Sequence, residues 1–153
     1  MRVLQLFTLI VIVACSGSHD SIYFRESNII NESSNYNLLV FFSEKDCITC
    51  LGEFDSYNKL SENLHEANLV VQGITNIGND SLLNKYKIKN GIKFDVLSNK
   101  KIFNKYIVGE TPQSILIDVK RNKMIVFRSF RKKNISSQQT TYDIINLIVR
   151  NSF

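Results

Sequence analysis

The chain contains no tryptophan, one proline, two histidines and three cysteines in 153 residues. No apolar run reaches the roughly 18 residues that a membrane-spanning helix needs. No repeat of fixed period is visible, which sets repeat architectures aside. Charged residues make up 22% of the chain and hydrophobic residues 44%. That balance excludes wholesale disorder and suits one globular domain with its own core. Basic residues outnumber acidic ones, 19 to 14, for a formal charge of +5. Most of them are scattered. The densest group, Arg128, Arg131, Lys132 and Lys133, reads as a solvated surface turn in preference to a site for anionic lipid or nucleic acid. The single proline, Pro112, is informative because it has no companions.

The N-terminus "MRVLQLFTLIVIVAC" has one basic residue, Arg2, then a mainly apolar run from Val3 to Ala14. A basic start, an apolar middle and a small residue before the cut describe a secretory signal over residues 1–14. Ile12-Val13-Ala14-Cys15 is similar to the lipobox of bacterial lipoproteins, whose cysteine is lipidated and becomes the first residue. The alternative is ordinary cleavage near Ala14, which leaves Cys15 as an odd thiol in an exported chain. Lipidation of Cys15 explains that thiol, and loss of Arg2 lowers the charge by one. Cys47 and Cys50 are then left for each other, outside the cytoplasm, where a disulfide can persist. Residues 15–36, rich in Ser and Asn, read as a tether with one short strand at Ile22 to Phe24.

Residues 37–153 read as the domain. "NLLVFF" is continuous apolar sequence, as expected of a strand buried on both faces. Residues 47–66 have helical spacing. "NLVVQGIT" is a second buried strand. "NDSLLNKYKI" is a helix with Asp80 or Ser81 as cap. "IKFDVL" is a short extended piece, and "NKKIFNKYIV" gives a turn or two of helix before a loop. "SILIDV" and "MIVFRSF", joined by "KRNK", form an antiparallel hairpin. "SSQQTTYDIINLIVRN" closes the chain as an amphipathic helix. Ser136 or Ser137 is its cap, and Tyr142, Ile145, Ile148 and Val149 share a face. The fold class expected is α/β, a mixed sheet with helices on both faces.

The order strand, short loop, Cys-x-x-Cys, helix puts Cys47 and Cys50 at a helix N-terminus, where exposed amides stabilise a thiolate. Cys47 comes first and is expected to be the solvent-facing nucleophile. At about 100° per residue, Cys50 shares an arc with Phe54, Tyr57, Leu60 and Leu64. Glu53 falls within that arc. A desolvated carboxylate has a raised pKa and can accept a proton from Cys50. Spacing alone equally allows Glu53 to sit at the edge of the stripe and reach water. A structural zinc site needs four ligands. Of the two histidines, His65 lies far along the same helix and His19 lies in the tether, so no metal is expected. A purely structural disulfide would close a very small loop and stabilise little. A redox-active pair is the reading that remains.

From Asn37 to Arg150 the chain resembles the thioredoxin-like superfamily, and within it the TlpA/ResA-type membrane-tethered thiol-disulfide oxidoreductases. Three stretches carry the resemblance: "FFSEKDCITCLGEF", "KYKIKNGIKFDVLSNKKIFNKYIV" and "GETPQSILID". The resemblance implies a thioredoxin-like fold. It also matches Glu53 to the glutamate that this family keeps near its buried cysteine, and it implies a cis Pro112 facing the pair, with Thr111 and Pro112 holding the substrate strand. The chain departs from the family at Asp46, where a tryptophan is usual, at Ile48-Thr49, where the dipeptide usually contains proline, and at Asp55, where the helix often has proline. An anion at Asp46 opposes thiolate formation on Cys47. Its other reading is a helix cap.

The function expected is reduction of protein disulfides outside the cytoplasm, without metal or organic cofactor. Its partners are a protein disulfide substrate, an extracytoplasmic or membrane electron donor, and the membrane itself through the lipid anchor, with no nucleic acid. A peroxiredoxin-like peroxidase fits less well, because that chemistry wants Thr-x-x-Cys, and Ser43 lies four residues before Cys47. A non-enzymatic binding module that keeps the pair as a relic disulfide is the other alternative.

Overall fold

The computed structural model describes residues 27–46, 52–64, 67–107, 111–121, 123–128, 143 and 145–150. A 3-10 turn, Ser27–Ile29, precedes strand β1, Tyr36–Phe42. Helix α1 is Gly52–Asn63, β2 is Leu69–Thr75, α2 is Asp80–Lys89 and β3 is Asp95–Ser98. Helix α3, Lys100–Tyr106, leads towards β4, Gln113–Asp118, and β5, Lys123–Arg128. Residues 145–150 are helical. The expected strand at Ile22 to Phe24 and the caps at Ser136 or Ser137 lie outside the described residues.

One five-stranded sheet runs in the order β3-β2-β1-β4-β5. β1 pairs in parallel with β2, and β2 with β3. β4 is antiparallel to β1 and to β5, which is the expected hairpin. The sheet is therefore mixed, with β1 at its centre, and every residue of β1 is buried. Alternation along β1 splits the core. Leu38, Val40 and Phe42 join one apolar cluster with α1, α2 and the C-terminal helical segment. Leu39 and Phe41 join a second with Ile29, Ile102 and Phe103. Helical elements thus cover both faces, as the apolar pattern implied. Burial of Ile29 also brings residues before Asn37 into the packed body.

The arc expected on α1 is the buried one: Phe54, Tyr57, Leu60 and Leu64 are each at most 5% exposed. Asn58, which also carries polar atoms, is buried beside them. Its amide donates to Gly91 O at 2.8 Å and its carbonyl accepts from Lys93 N at 2.9 Å, tying α1 to the connection between α2 and β3. On β2, a Cβ at Gly73 would stand 2.9 Å from both Phe42 Cε1 and Val96 Cγ2. Glycine lets those side chains close over the strand.

The cap of α2 is neither Asp80 nor Ser81. Asn79 holds the extended conformation of an N-cap, and its side chain accepts from Leu82 N at 3.0 Å. Any of the three residue types can cap a helix, and the backbone turn falls one residue earlier. Asp80 then occupies the first turn, where its charge suits the helix dipole. The other end closes as a Schellman motif, with Ile92 N on Lys87 O at 3.0 Å and Gly91 N on Ile88 O at 3.3 Å. Gly91 takes the left-handed conformation that this motif requires, at φ 63°.

Candidate functional site

Cys15, Cys47 and Cys50 lie outside the described residues, as do Ile48, Thr49, His19 and His65. The structure does describe what flanks the pair. On one side β1 ends at Phe42 and the chain runs through Ser43 to Asp46; on the other α1 begins at Gly52. The Thr111-Pro112 loop enters β4 at Gln113, which is in register with Phe41 near the end of β1. Both segments therefore meet at one end of the sheet.

The 43–46 loop is tightly closed. Asp46 N donates to Ser43 O at 3.2 Å. The Asp46 carboxylate returns two bonds, Oδ2 accepting from Ser43 N at 2.8 Å and Oδ1 from Ser43 Oγ at 3.0 Å. Thr111 Oγ1 donates to the same Oδ1. Ser43 O also accepts from Tyr86 Oη of α2 at 3.2 Å. Tyr86 lies flat against Phe42, with ring centroids 5.5 Å apart and planes 9° apart. Phe54 of α1 meets Phe42 edge-on at 5.2 Å. Aromatic packing thus fixes the first turn of α1, the end of β1 and the middle of α2 against one another. Three donors on one carboxylate fix the loop above them.

Thr111-Pro112 is a cis peptide bond, as the resemblance implied. Pro112 is buried and Thr111 half-buried. The contact between Thr111 and Asp46 joins the Thr-Pro loop to the residue bonded directly to Cys47. The cap reading of Asp46 concerns residues outside those described; its described side-chain partners are Ser43 and Thr111. Asp55, the other departure from the family pattern, faces solvent and pairs with Lys59 at 2.7 Å.

Glu53 is half-buried in the first described turn of α1. One turn on, Tyr57 is 5% exposed. Its hydroxyl pKa is pushed far up, first by burial and then by the negative charge of Glu53. Ser114 on β4 acts in the opposite direction. Ser114 Oγ is nonetheless buried without a hydrogen-bond partner among the described residues, so its bond to the tyrosine is at best incomplete. Glu53 at the start of α1 and Ser114 on β4, two residues beyond Pro112, are thus the polar groups that act on the buried Tyr57 hydroxyl. Periodicity had placed Tyr57 on the core face only as an aromatic. Its hydroxyl was the available signal, because a buried phenol needs a polar neighbour.

Among the described residues no cluster of His, Cys, Asp and Glu could hold a metal ion, and no helix is long and apolar enough to cross a membrane. Of the basic group, Arg128 ends β5, and Arg131, Lys132 and Lys133 lie outside the described residues.

No family model and no curated protein sequence matches the chain. Solved structures do. A thiol:disulfide interchange protein from Bacteroides sp. superposes with a TM-score of 0.59 at 16% identity, over 78% of this chain and 76% of that one. A thioredoxin family thiol:disulfide interchange protein from Chlorobium tepidum gives 0.57 at 18% identity, over 75% and 80%. A secreted disulfide oxidoreductase of Mycobacterium tuberculosis gives 0.55 at 14%, over 71% and 79%. At such identities the likeness is one of architecture, and with the sheet order above it establishes that this chain has a thioredoxin-like fold.

Proposed function

We propose that the chain is an extracytoplasmic thiol-disulfide oxidoreductase that reduces protein disulfides through Cys47 and Cys50. The observation that carries this reading is the hydrogen bond from Thr111 to Asp46. Asp46 directly precedes Cys47 in the sequence, and this bond ties it to the Thr-Pro loop that, in this reading, receives a substrate strand. The activity named for the three structural neighbours supports the same chemistry.

In the proposed reaction the Cys47 thiolate attacks one sulfur of the substrate disulfide, and the other sulfur leaves as a thiolate and takes up a proton. Cys50, giving its proton to Glu53, attacks Cys47 Sγ and releases the second substrate thiol. Two electrons have then passed to the substrate, and Cys47 and Cys50 are joined as a disulfide. An extracytoplasmic or membrane electron donor must reduce them again. Thr111 and Pro112 hold the substrate backbone. Residues 1–14 direct export, Cys15 carries the lipid, and the segment that follows tethers the domain at the membrane.

Insulin reduction with a chemical electron donor tests the reaction. Wild type should turn over, and Cys50→Ser should accumulate a mixed disulfide through Cys47. Loss of neither activity nor trapping on changing Cys47 to Ser would refute the assignment. A pair that never cycles between dithiol and disulfide would leave a binding module in its place.

A further inference from the structure

We propose that Asp46 is a positioning residue with two separable effects: it clamps the nucleophile loop to the Thr-Pro loop through Thr111, and it keeps a negative charge fixed beside Cys47. The inference rests on the oxidoreductase reading above and deepens it. The residue is not a loose surface acid. Its two oxygens receive three donors: the Ser43 N–H, the Ser43 hydroxyl and the Thr111 hydroxyl. Ser43 is fixed in turn, because its carbonyl receives Asp46 N and Tyr86 Oη. A threonine hydroxyl has one proton. That proton is committed to Asp46, so Thr111 is held in one rotamer at the mouth of the substrate loop.

The charge effect follows from the covalent chain. A carboxylate on the residue next to Cys47 in the chain disfavours its thiolate. The other titratable groups described in or against this loop are Glu44 and Lys45, both exposed, and Tyr86 from α2. Lys45 is the one cation among them. It is exposed to water, whereas Asp46 is pinned by three bonds, so Asp46 is the charge fixed next to Cys47 in the chain. In this proposal the nucleophile is kept more protonated at neutral pH than it would be beside a neutral residue.

The chemistry of the donors separates the two effects. Hydroxyl groups accept as well as donate. In Asp46→Asn the amide oxygen can still take the Ser43 N–H, while the NH₂ donates to Thr111 Oγ1, so the clamp survives and the charge is gone. In Thr111→Val the charge stays and the clamp is gone. Asp46→Ala loses both. Thr111→Ser restores the hydroxyl and serves as the rescue.

The test uses the full chain and two readouts. The first is pH-dependent alkylation of Cys47, resolved peptide by peptide by mass spectrometry. The second is KM and kcat for insulin reduction. Asp46→Asn should lower the Cys47 titration midpoint by about one unit, a roughly tenfold change in the thiol-thiolate ratio. It should also raise the rate at neutral pH. Thr111→Val should leave the midpoint in place and raise KM roughly five- to tenfold, as loss of one charge-assisted hydrogen bond predicts. Thr111→Ser should return KM towards wild type. Asp46→Ala combined with Thr111→Val should raise KM no further than Asp46→Ala alone. Superimposable Cys47 titration curves for wild type and Asp46→Asn overturn the charge effect. Independent, multiplying effects of Asp46→Ala and Thr111→Val on KM overturn the clamp. If wild type reduces no disulfide, the function proposed above fails by itself. The alkylation curves then still judge the charge, and non-additive melting temperatures across the same two substitutions still judge the clamp.

Discussion

Asn58 joins α1 to a connection more than thirty residues away, and its removal should be costly. The side chain is 5% exposed, and both halves of its amide are engaged: 2.8 Å to Gly91 O and 2.9 Å to Lys93 N. In Asn58→Ala both backbone partners lose their bond. A fully buried group left unpaired costs about 1–3 kcal/mol. Gly91 and Lys93 are themselves exposed, so water can reach part of each, and the lower half of that range applies. Two such losses give about 2–4 kcal/mol. For a chain of this size 1 kcal/mol moves the melting temperature by about 2–4 °C, so the shift should be about 4–16 °C downwards. Asn58→Asp adds a sign. The new carboxylate accepts from Lys93 N as before, but turns its second oxygen towards Gly91 O. Its folded pKa must rise above the ordinary value near 3.9, since only the protonated form can donate there. The unfolded form thus loses its proton first as pH increases. Asn58→Asp should therefore be closest to wild type below about pH 4 and fall behind as pH rises through the folded value. Thermal and urea melts, followed by circular dichroism between pH 3 and 8, read both effects. A melting temperature within about 2 °C of wild type for Asn58→Ala would refute the accounting, as would a pH-independent deficit for Asn58→Asp.

Tyr57→Phe should flatten the loss of stability at alkaline pH. The raised pKa of Tyr57 means that its contribution is complete below the unfolded value near 10 and is lost as pH climbs above it. Urea midpoints from pH 8 to 11 for wild type and variant check this. Gly73→Ala forces a Cβ against Phe42 and Val96 and should cost about 1–3 kcal/mol, seen as a lowered urea midpoint with an unchanged m-value. Glu53→Gln should keep the fold and slow disulfide reduction near neutral pH. Full general acid-base assistance is worth roughly 10²–10⁴-fold, and half-burial of Glu53 should bring the loss nearer tenfold. Stopped-flow reduction rates across pH measure it. Cys15→Ser should release the chain from the membrane fraction with its fold intact, which fractionation and circular dichroism follow.

The parts of this molecule legible from sequence are those that short-range patterns determine. A strand buried on both faces shows as "NLLVFF", because neither face offers a place for a polar residue. The α1 stripe shows because Phe54, Tyr57, Leu60 and Leu64 repeat at helical spacing. What stayed hidden depends on strand order. Thr111 meets Asp46 because β4 lies beside β1, and nothing local to either residue announces that pairing. Asp46 therefore reads from sequence only as a charge beside a cysteine or as a helix cap. The α2 cap was misassigned for a related reason: Asn79, Asp80 and Ser81 all have capping side chains, and the decision rests on the backbone turn at Asn79.

The clearest signal in the sequence that went unused is polarity on faces that periodicity makes apolar. Tyr57 and Asn58 fall on the buried side of α1, and Ser114 falls in the apolar run of β4. Burying such groups without partners costs free energy that apolar residues of similar size would not lose. Asn58 recovers it with two bonds to a distant connection. Ser114 recovers less, since its Oγ has no partner among the described residues. Asn58 is satisfied where it stands. Ser114, on β4 two residues beyond Pro112, is not satisfied among the described residues. The reaction proposed above asks for a carboxylate drawn partly out of water to accept the Cys50 proton, and half-buried Glu53, whose charge is felt by Tyr57, is the acid that α1 offers for it.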